Sequence, residues 1–160
     1  MTPESMNPEQ CTTGARRRAV LGMLATLVSA LLPLRLLAAE WNKPAFEAHA
    51  LPEALKAIGA NSIAESDKID LKAPEIAENG AIVPVEITSR IPGTESVYII
   101  AEKNPQPLVA EFDIGGTMDP FISTRIKMGE TARVRVIVKA GGKFYATARE
   151  VKVTIGGCGG

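Results

Sequence analysis

Sulfur-bearing and aromatic side chains are scarce in this chain. Its 160 residues include two cysteines, one histidine, one tryptophan, two tyrosines and four phenylalanines. So few rings cannot build a stacking platform for bases, and no basic stripe offers a phosphate-binding face, which excludes nucleic acid as a partner. Charge of one sign is lacking too, since 18 Lys and Arg balance 18 Asp and Glu. No spacing of Cys, His, Asp or Glu matches a metal site, so neither a metal nor another cofactor is expected. The single histidine also limits nucleophile–base chemistry. His49 stands more than 100 residues from Cys158 in an apolar-flanked stretch, and reads as a packing or surface residue rather than as the base of a Cys–His pair.

A run long enough to span a membrane is missing as well. The apolar segment from Ala19 to Leu34 falls short of the roughly 20 residues a spanning helix needs, so no stable membrane insertion is expected. Arg16, Arg17 and Arg18 precede that segment, and the small residues Ala38 and Ala39 follow it. A charged start, a short apolar centre and small residues near the end describe a removable export signal over residues 1–39. Cleavage after Ala39 leaves bulky Leu37 at the minus-three position, while a cut after Ala30 would leave a Leu-rich stub; we favour Ala39. The pair Arg17–Arg18 followed by Ala19, Val20 and Leu21 resembles the twin-arginine pattern, which implies export to the bacterial periplasm.

Residues 1–39 hold four of the 18 basic and two of the 18 acidic side chains, leaving 14 against 16 in the mature chain. Cys11 is lost with them, and because it precedes the apolar run it is not a lipid-attachment cysteine. Cys158 is then the sole thiol. In an oxidising compartment cysteines come in pairs, so a solitary one points to an intermolecular bond or a reactive thiol.

The mature chain is rich in period-two alternation. After an extended lead-in containing Trp41 and Phe46, Leu51, Leu55 and Ile58 recur at helical spacing, and Gly59 can end that one short helix. From Lys68 onward the apolar residues alternate: Ile69 and Leu71; Val83, Val85 and Ile87; Val97, Ile99 and Ala101; Leu108, Ala110, Phe112 and Ile114; Ile122, Thr124, Ile126 and Met128. Two strong strands end the series, with Val134, Val136 and Val138 inward on one, the turn AGGK, and Val151, Val153 and Ile155 inward on the other. About seven short strands and one front helix predict an all-β, immunoglobulin-like antiparallel sandwich over residues 40–155. Such a domain holds its core without a disulfide. Strands SVYII and VRVIV carry apolar residues on both parities, with Tyr98, Ile100 and Ile137 opposite the inward set, so the outer face there is expected to be covered by a partner.

Beyond Ile155 the chain reads GGCGG. Gly156, Gly157, Gly159 and Gly160 have no Cβ, so a flexible arm built from them would be slender and conformationally permissive. Five or six residues at about 3.3–3.6 Å each would carry Cys158 on the order of 15–20 Å from the sandwich. Ordering such an arm costs roughly 1–2 kcal/mol per residue, which keeps any docking weak and reversible. Free thiols have a pKa near 8.5 and are activated by nearby cations or a helix start. Cys158 has none adjacent in sequence; Lys152 is its nearest cation, and the carboxylate at Gly160 disfavours the thiolate.

The stretches APEIAENGAIVPVEI, EKNPQPL, STRIKMGET and KFYATAREVKVTI, together with the terminal GGCGG, resemble the SoxY family, sulfur carriers of the periplasmic thiosulfate-oxidising Sox system. The resemblance runs over essentially all of residues 40–160. It implies that Cys158 holds sulfur oxidation intermediates as covalent thioconjugates on a swinging arm, 156–160, and that the chain is a non-catalytic subunit. It further implies a SoxZ-like partner in a heterodimer, and transient docking to a SoxAX-type cytochrome, a SoxB-type hydrolase and a SoxCD-type dehydrogenase.

Three other functions fit some of the residues. A ubiquitin-like carrier would use a thiocarboxylate at Gly160, but its ATP-dependent chemistry suits neither export nor the periplasm. A secreted scaffold module would use Cys158 only to lock a covalent dimer. A copper or iron chaperone would want a second soft ligand, and none stands near the thiol. Asp67, Asp70, Glu75 and Glu78 read as the wet side of a strand and helix. Lys103, Arg125 and Lys127 could steer anions, though scattered charges on a solvated strand face are the plainer reading.

Overall fold

The computed structural model describes residues 41–116 and 118–154. Residues 1–40, with Cys11 and the signal pair Arg17 and Arg18, lie outside the described residues. So do 155–160, with Ile155, Cys158 and the four arm glycines. In chain order the elements are α1 (Lys43–Glu47), α2 (Leu51–Ala57), β1 (Ile63–Glu65), β2 (Ile69–Lys72), β3 (Ile76–Ala77), β4 (Val83–Ser89), β5 (Thr94–Ala101), β6 (Leu108–Asp113), β7 (Phe121–Ile126), β8 (Ala132–Ala140) and β9 (Lys143–Val153). One sheet runs β1-β9-β8-β5-β6 with β3 also on β9, and a smaller one runs β2-β4-β7. The chain is an all-β sandwich of immunoglobulin-like type.

Alternation decides which side chains meet between the sheets. Val83, Val85 and Ile87 of β4 pack toward Val97 and Ile99 of β5, Val134, Val136 and Val138 of β8, and Val151 of β9. All are essentially without solvent contact. The β8–β9 turn reverses on Gly141 and Gly142, with φ of 55° and 71°. Two successive positive φ values match the twist of a two-residue hairpin, and glycine adopts them without strain.

The large sheet is buried on both faces. Tyr98, Ile100, Leu108, Ile137 and Ala146 form a second core with Ala45, Ala48, Ala54 and Ile58 from the helical segment. The outer parity of β5 and β8 is therefore covered by the chain's own α1 and α2, and a partner is not needed to explain those residues. Helix α2 stops as expected. Gly59, at φ 78°, lets its own amide reach Lys56 O at 3.0 Å and the Ala60 amide reach Leu55 O at 2.9 Å, closing the carbonyls of the last turn.

Three features depart from the alternation pattern. The lead-in is not extended throughout, because Asn42 Oδ1 accepts from Ala45 N at 3.3 Å and Pro44 sits in the first turn of α1, a favourable helix start. A register shift between Ile99 and Ile100 pairs Ile99 with Ala110 but Ile100 with Leu108. Leu108 consequently joins the helix-side core, while Ala110, Phe112 and Ile114 pack between the sheets. Finally, β1 and β3 pair with β9 in parallel, not antiparallel, fashion; strands of three and two residues carry no alternation of their own.

Burial of both sheet faces has a measurable consequence. Ile137→Ala should lower unfolding free energy by about 2–5 kcal/mol, read from urea midpoints; a loss under about 1 kcal/mol would contradict helix cover over that residue.

Candidate functional site

Cys158 follows β9 in the chain, so the site is built from whatever holds that strand's end. Strand β8 pairs with β9 from Ala140 opposite Lys143 to Ala132 opposite Val151. On the other edge β1 takes Phe144 to Ala146, and β3 takes Lys152 and Val153. Hydrogen bonding then continues past the β8 ladder. Val153 N donates to Thr131 Oγ1 at 2.9 Å, and that oxygen lies 3.5 Å from Val153 O. Lys152 N donates to Glu75 O at 2.9 Å and Thr154 N to Ala77 O at 3.1 Å. The Thr154 hydroxyl donates to Glu78 O at 3.0 Å. Backbone is thus held to within four residues of Cys158.

Neighbouring loops are tied together at the same end of the sandwich. Asn104 Nδ2 donates to Lys127 O at 2.8 Å, and Asn104 Oδ1 accepts from Gly129 N at 3.0 Å. Met128, fully buried, donates its amide to Gly80 O at 2.7 Å. The β3–β4, β5–β6 and β7–β8 connections thereby form a collar around the strand end. Ile82 is exposed on it, at 57%, and Ile76 of β3 is exposed at 59%.

The residues singled out by sequence are distributed unevenly. Cys158, Gly156, Gly157, Gly159 and Gly160 lie outside the described residues. Lys103 pairs with Glu130 at 3.8 Å with both side chains largely exposed, a contact worth little. Arg125 and Lys127 are exposed and line a cleft of about 690 Å³ with Trp41, Phe46, Asn104 and Pro105. His49 is an exposed residue whose Nδ1 lies 3.1 Å from Pro105 O; a carbonyl only accepts, so Nδ1 carries the proton. Asp67 is exposed and Asp70 half-buried. Glu75 and Glu78 hold the strand end through their carbonyls rather than their carboxylates. Among the described residues no three His, Cys, Asp or Glu side chains are grouped to hold a metal.

Displaced ionisation among the described residues falls elsewhere, on the β5–β6 pair. Tyr98 stands opposite Glu111. Burial pushes the Glu111 carboxyl up, nearby Asp113 adds to this, and a hydrogen bond from Tyr98 opposes it. Burial likewise raises the Tyr98 hydroxyl, with Ser96 opposing. Folded Glu111 binds its proton more tightly than the unfolded chain does, so its contribution is complete at low pH and is lost as pH rises past 4.5 through the folded value. Glu111→Gln is expected to gain stability on the wild type between pH 4 and pH 7, in thermal melts at both; an unchanged difference would refute the shift.

Taken together, fold and site define an immunoglobulin-like sandwich whose last strand is anchored to its final residues and passes into a glycine-flanked cysteine. The family model of the sulfur oxidation protein SoxY matches residues 54–158, a span that ends on that cysteine. The chain belongs to the SoxY family of sulfur carriers. The solved structure of the sulfur carrier protein SoxY from Chlorobium limicola f thiosulfatophilum is 46% identical, with 65% of this chain and 96% of that one covered at a TM-score of 0.58. A superoxide reductase (neelaredoxin) variant from Ignicoccus hospitalis is 15% identical, covering 57% and 94% at a TM-score of 0.47. No curated protein sequence matches the chain.

Proposed function

We propose that this protein carries sulfur oxidation intermediates covalently on Cys158 and presents them to separate enzymes, without turning them over itself. The observation that carries this reading is the SoxY family match, which extends beyond the sandwich to residue 158. The anchored strand end supports it in physical terms. A carrier needs a fixed point of departure close to its reactive atom, and Thr154 is bonded four residues before the thiol.

Joining a sulfur anion to a thiolate by an S–S bond releases two electrons, one from each sulfur, and an external acceptor must take them. We assign that acceptor to a redox partner of the cytochrome class, as the family resemblance implies. Removal of the oxidised end and further oxidation belong in turn to a hydrolase and a dehydrogenase, as the family resemblance implies. A SoxZ-like subunit is the proposed stable partner, and it covers a surface other than the helix-clad face of the large sheet. Export through the twin-arginine route, directed by Arg17 and Arg18, places the carrier in the periplasm with residues 1–39 removed.

Intact-mass analysis of protein from cells oxidising thiosulfate tests the reading. Sulfane, thiosulfate or sulfonate adducts are expected on the last peptide, released by a thiol reductant and missing from Cys158→Ser. An adduct that survives the reductant would indicate a thiocarboxylate instead, and a disulfide dimer with no adduct would indicate a scaffold module.

A further inference from the structure

Two bonds at the strand ends fix which way the backbone of β7 points. Ser89 N donates to Pro120 O at 3.0 Å and Arg90 N to Lys68 O at 2.8 Å, extending the β4–β7 and β2–β4 registers by one residue each. Hydrogen-bonded positions alternate along an antiparallel pair. Val85 and Ile87 of β4 therefore bond Thr124 and Ile122 of β7, and the amides and carbonyls of Ser123 and Arg125 point away from β4. Among the described residues β7 pairs with β4 alone, so those groups face an open edge.

The other outer strands are guarded. Strands β1 and β2 have three and four residues, and β6 is interrupted by its register shift, devices that blunt an edge. Strand β7 holds six unbroken pairs and contains no proline. Three of the five large apolar side chains left exposed among the described residues are near it: Met118 and Phe121 at its start, and Trp41 in the cleft beside its end. That cleft has Leu108 to Ala110 of the β6 edge on one side and Thr124 to Lys127 on the other.

A strand laid along β7 would continue both faces of the small sheet. Side chains in line with Ile122 and Ile126, which are buried between the sheets, would enter the cleft against Leu108, Val109 and Phe46. Those in line with Ser123 and Arg125 would lie on the exposed outer face, beside Arg125 and Lys127. Neither cation belongs to an ion pair among the described residues. Glu47, the carboxylate that lines the same cleft, is engaged by Lys43 at 3.5 Å.

We propose that the open edge of β7 docks an extended segment of another protein as an added strand, one that alternates apolar residues toward the cleft with carboxylates beside Arg125 and Lys127. Backbone bonds to Ser123 and Arg125 give affinity, and the alternation of side chains gives specificity. The two opposite-charge pairs select the sign and register of the incoming strand. This edge acts independently of what Cys158 carries.

The test uses the mature chain, kept reduced, and two short blocked peptides, one alternating valine with glutamate and the other valine with lysine. Each is titrated into the low millimolar range, where so short a strand is expected to bind, and backbone amides are followed by NMR. The glutamate peptide should shift the Ser123 and Arg125 amides and slow their exchange, and the lysine peptide should bind at least about tenfold more weakly. Ser123→Pro removes a donor that β4 does not use; the chain should stay folded, and its Arg125 amide should no longer respond. Should that variant unfold, Arg125→Glu with Lys127→Glu, both on an exposed face, is expected to reverse the preference to the lysine peptide. Silent Ser123 and Arg125 amides with the glutamate peptide overturn the docking edge. Equal binding of the two peptides overturns the acidic occupant. Shifts at these amides on concentrating the chain without peptide would make a second copy the occupant, and the same shifts with millimolar sodium sulfate would make the site an anion subsite; either overturns the proposal.

Discussion

Backbone pairing along β9 is the interaction on which the rest of the structure depends. Strand β8 lies along one edge for nine residue pairs, and the two short strands β1 and β3 share the other. On that second edge β9 is paired over 144–146 and again at Lys152 and Val153, and its last residues are held by the carbonyls of Glu75, Ala77 and Glu78 and the Thr131 hydroxyl. A strand held this way transmits no slack.

The large sheet owes its rigidity to being a middle layer. Strand β4 of the small sheet alternates strictly between buried and more exposed residues, whereas β5 is buried at nearly every position. Helices α1 and α2 seal the outer face with small side chains, Ala45, Ala48 and Ala54, which allow close approach. At the margin of that face Arg135 reaches Glu102 at 2.8 Å and Glu65 at 3.7 Å. A largely buried, hydrogen-bonded pair of this kind adds little net stability beside an apolar alternative, but it ties β1, β8 and the end of β5 together.

Much of this architecture is legible in the residues. Period-two alternation locates β2 and β4 to β9, the doubled parity of SVYII and VRVIV announces a sheet covered on both sides, and AGGK marks its hairpin. The identity of the cover is not legible, because parity says that a face is buried and not what buries it; helices of the same chain take the place expected for a partner. Asn42 and Pro44 do carry a helix-start signal, in a stretch whose sparse apolar residues otherwise suggest an extended lead-in. Leu108 faces the helices and not the inter-sheet core because a bulge is a tertiary event. The site divides similarly. Cys158 and its glycines stand out in the sequence as a chemical oddity, whereas Thr131, Glu75 and Glu78 have no local mark: their role exists only once residues distant in sequence meet.

The order of strands along the chain has a consequence for biosynthesis. One of the three inner strands of the large sheet, β9, is also the last of the nine to be made. Until it emerges, β8, β1 and β3 present open edges, and Val134, Val136 and Val138 have no neighbour on that side. Contacts linking residues 63–65 to 144–146 are among the most distant in the chain, and such pairings are slow to form. Until β9 is made the large sheet is incomplete, and the open edge of β8 is exposed to edge-to-edge pairing.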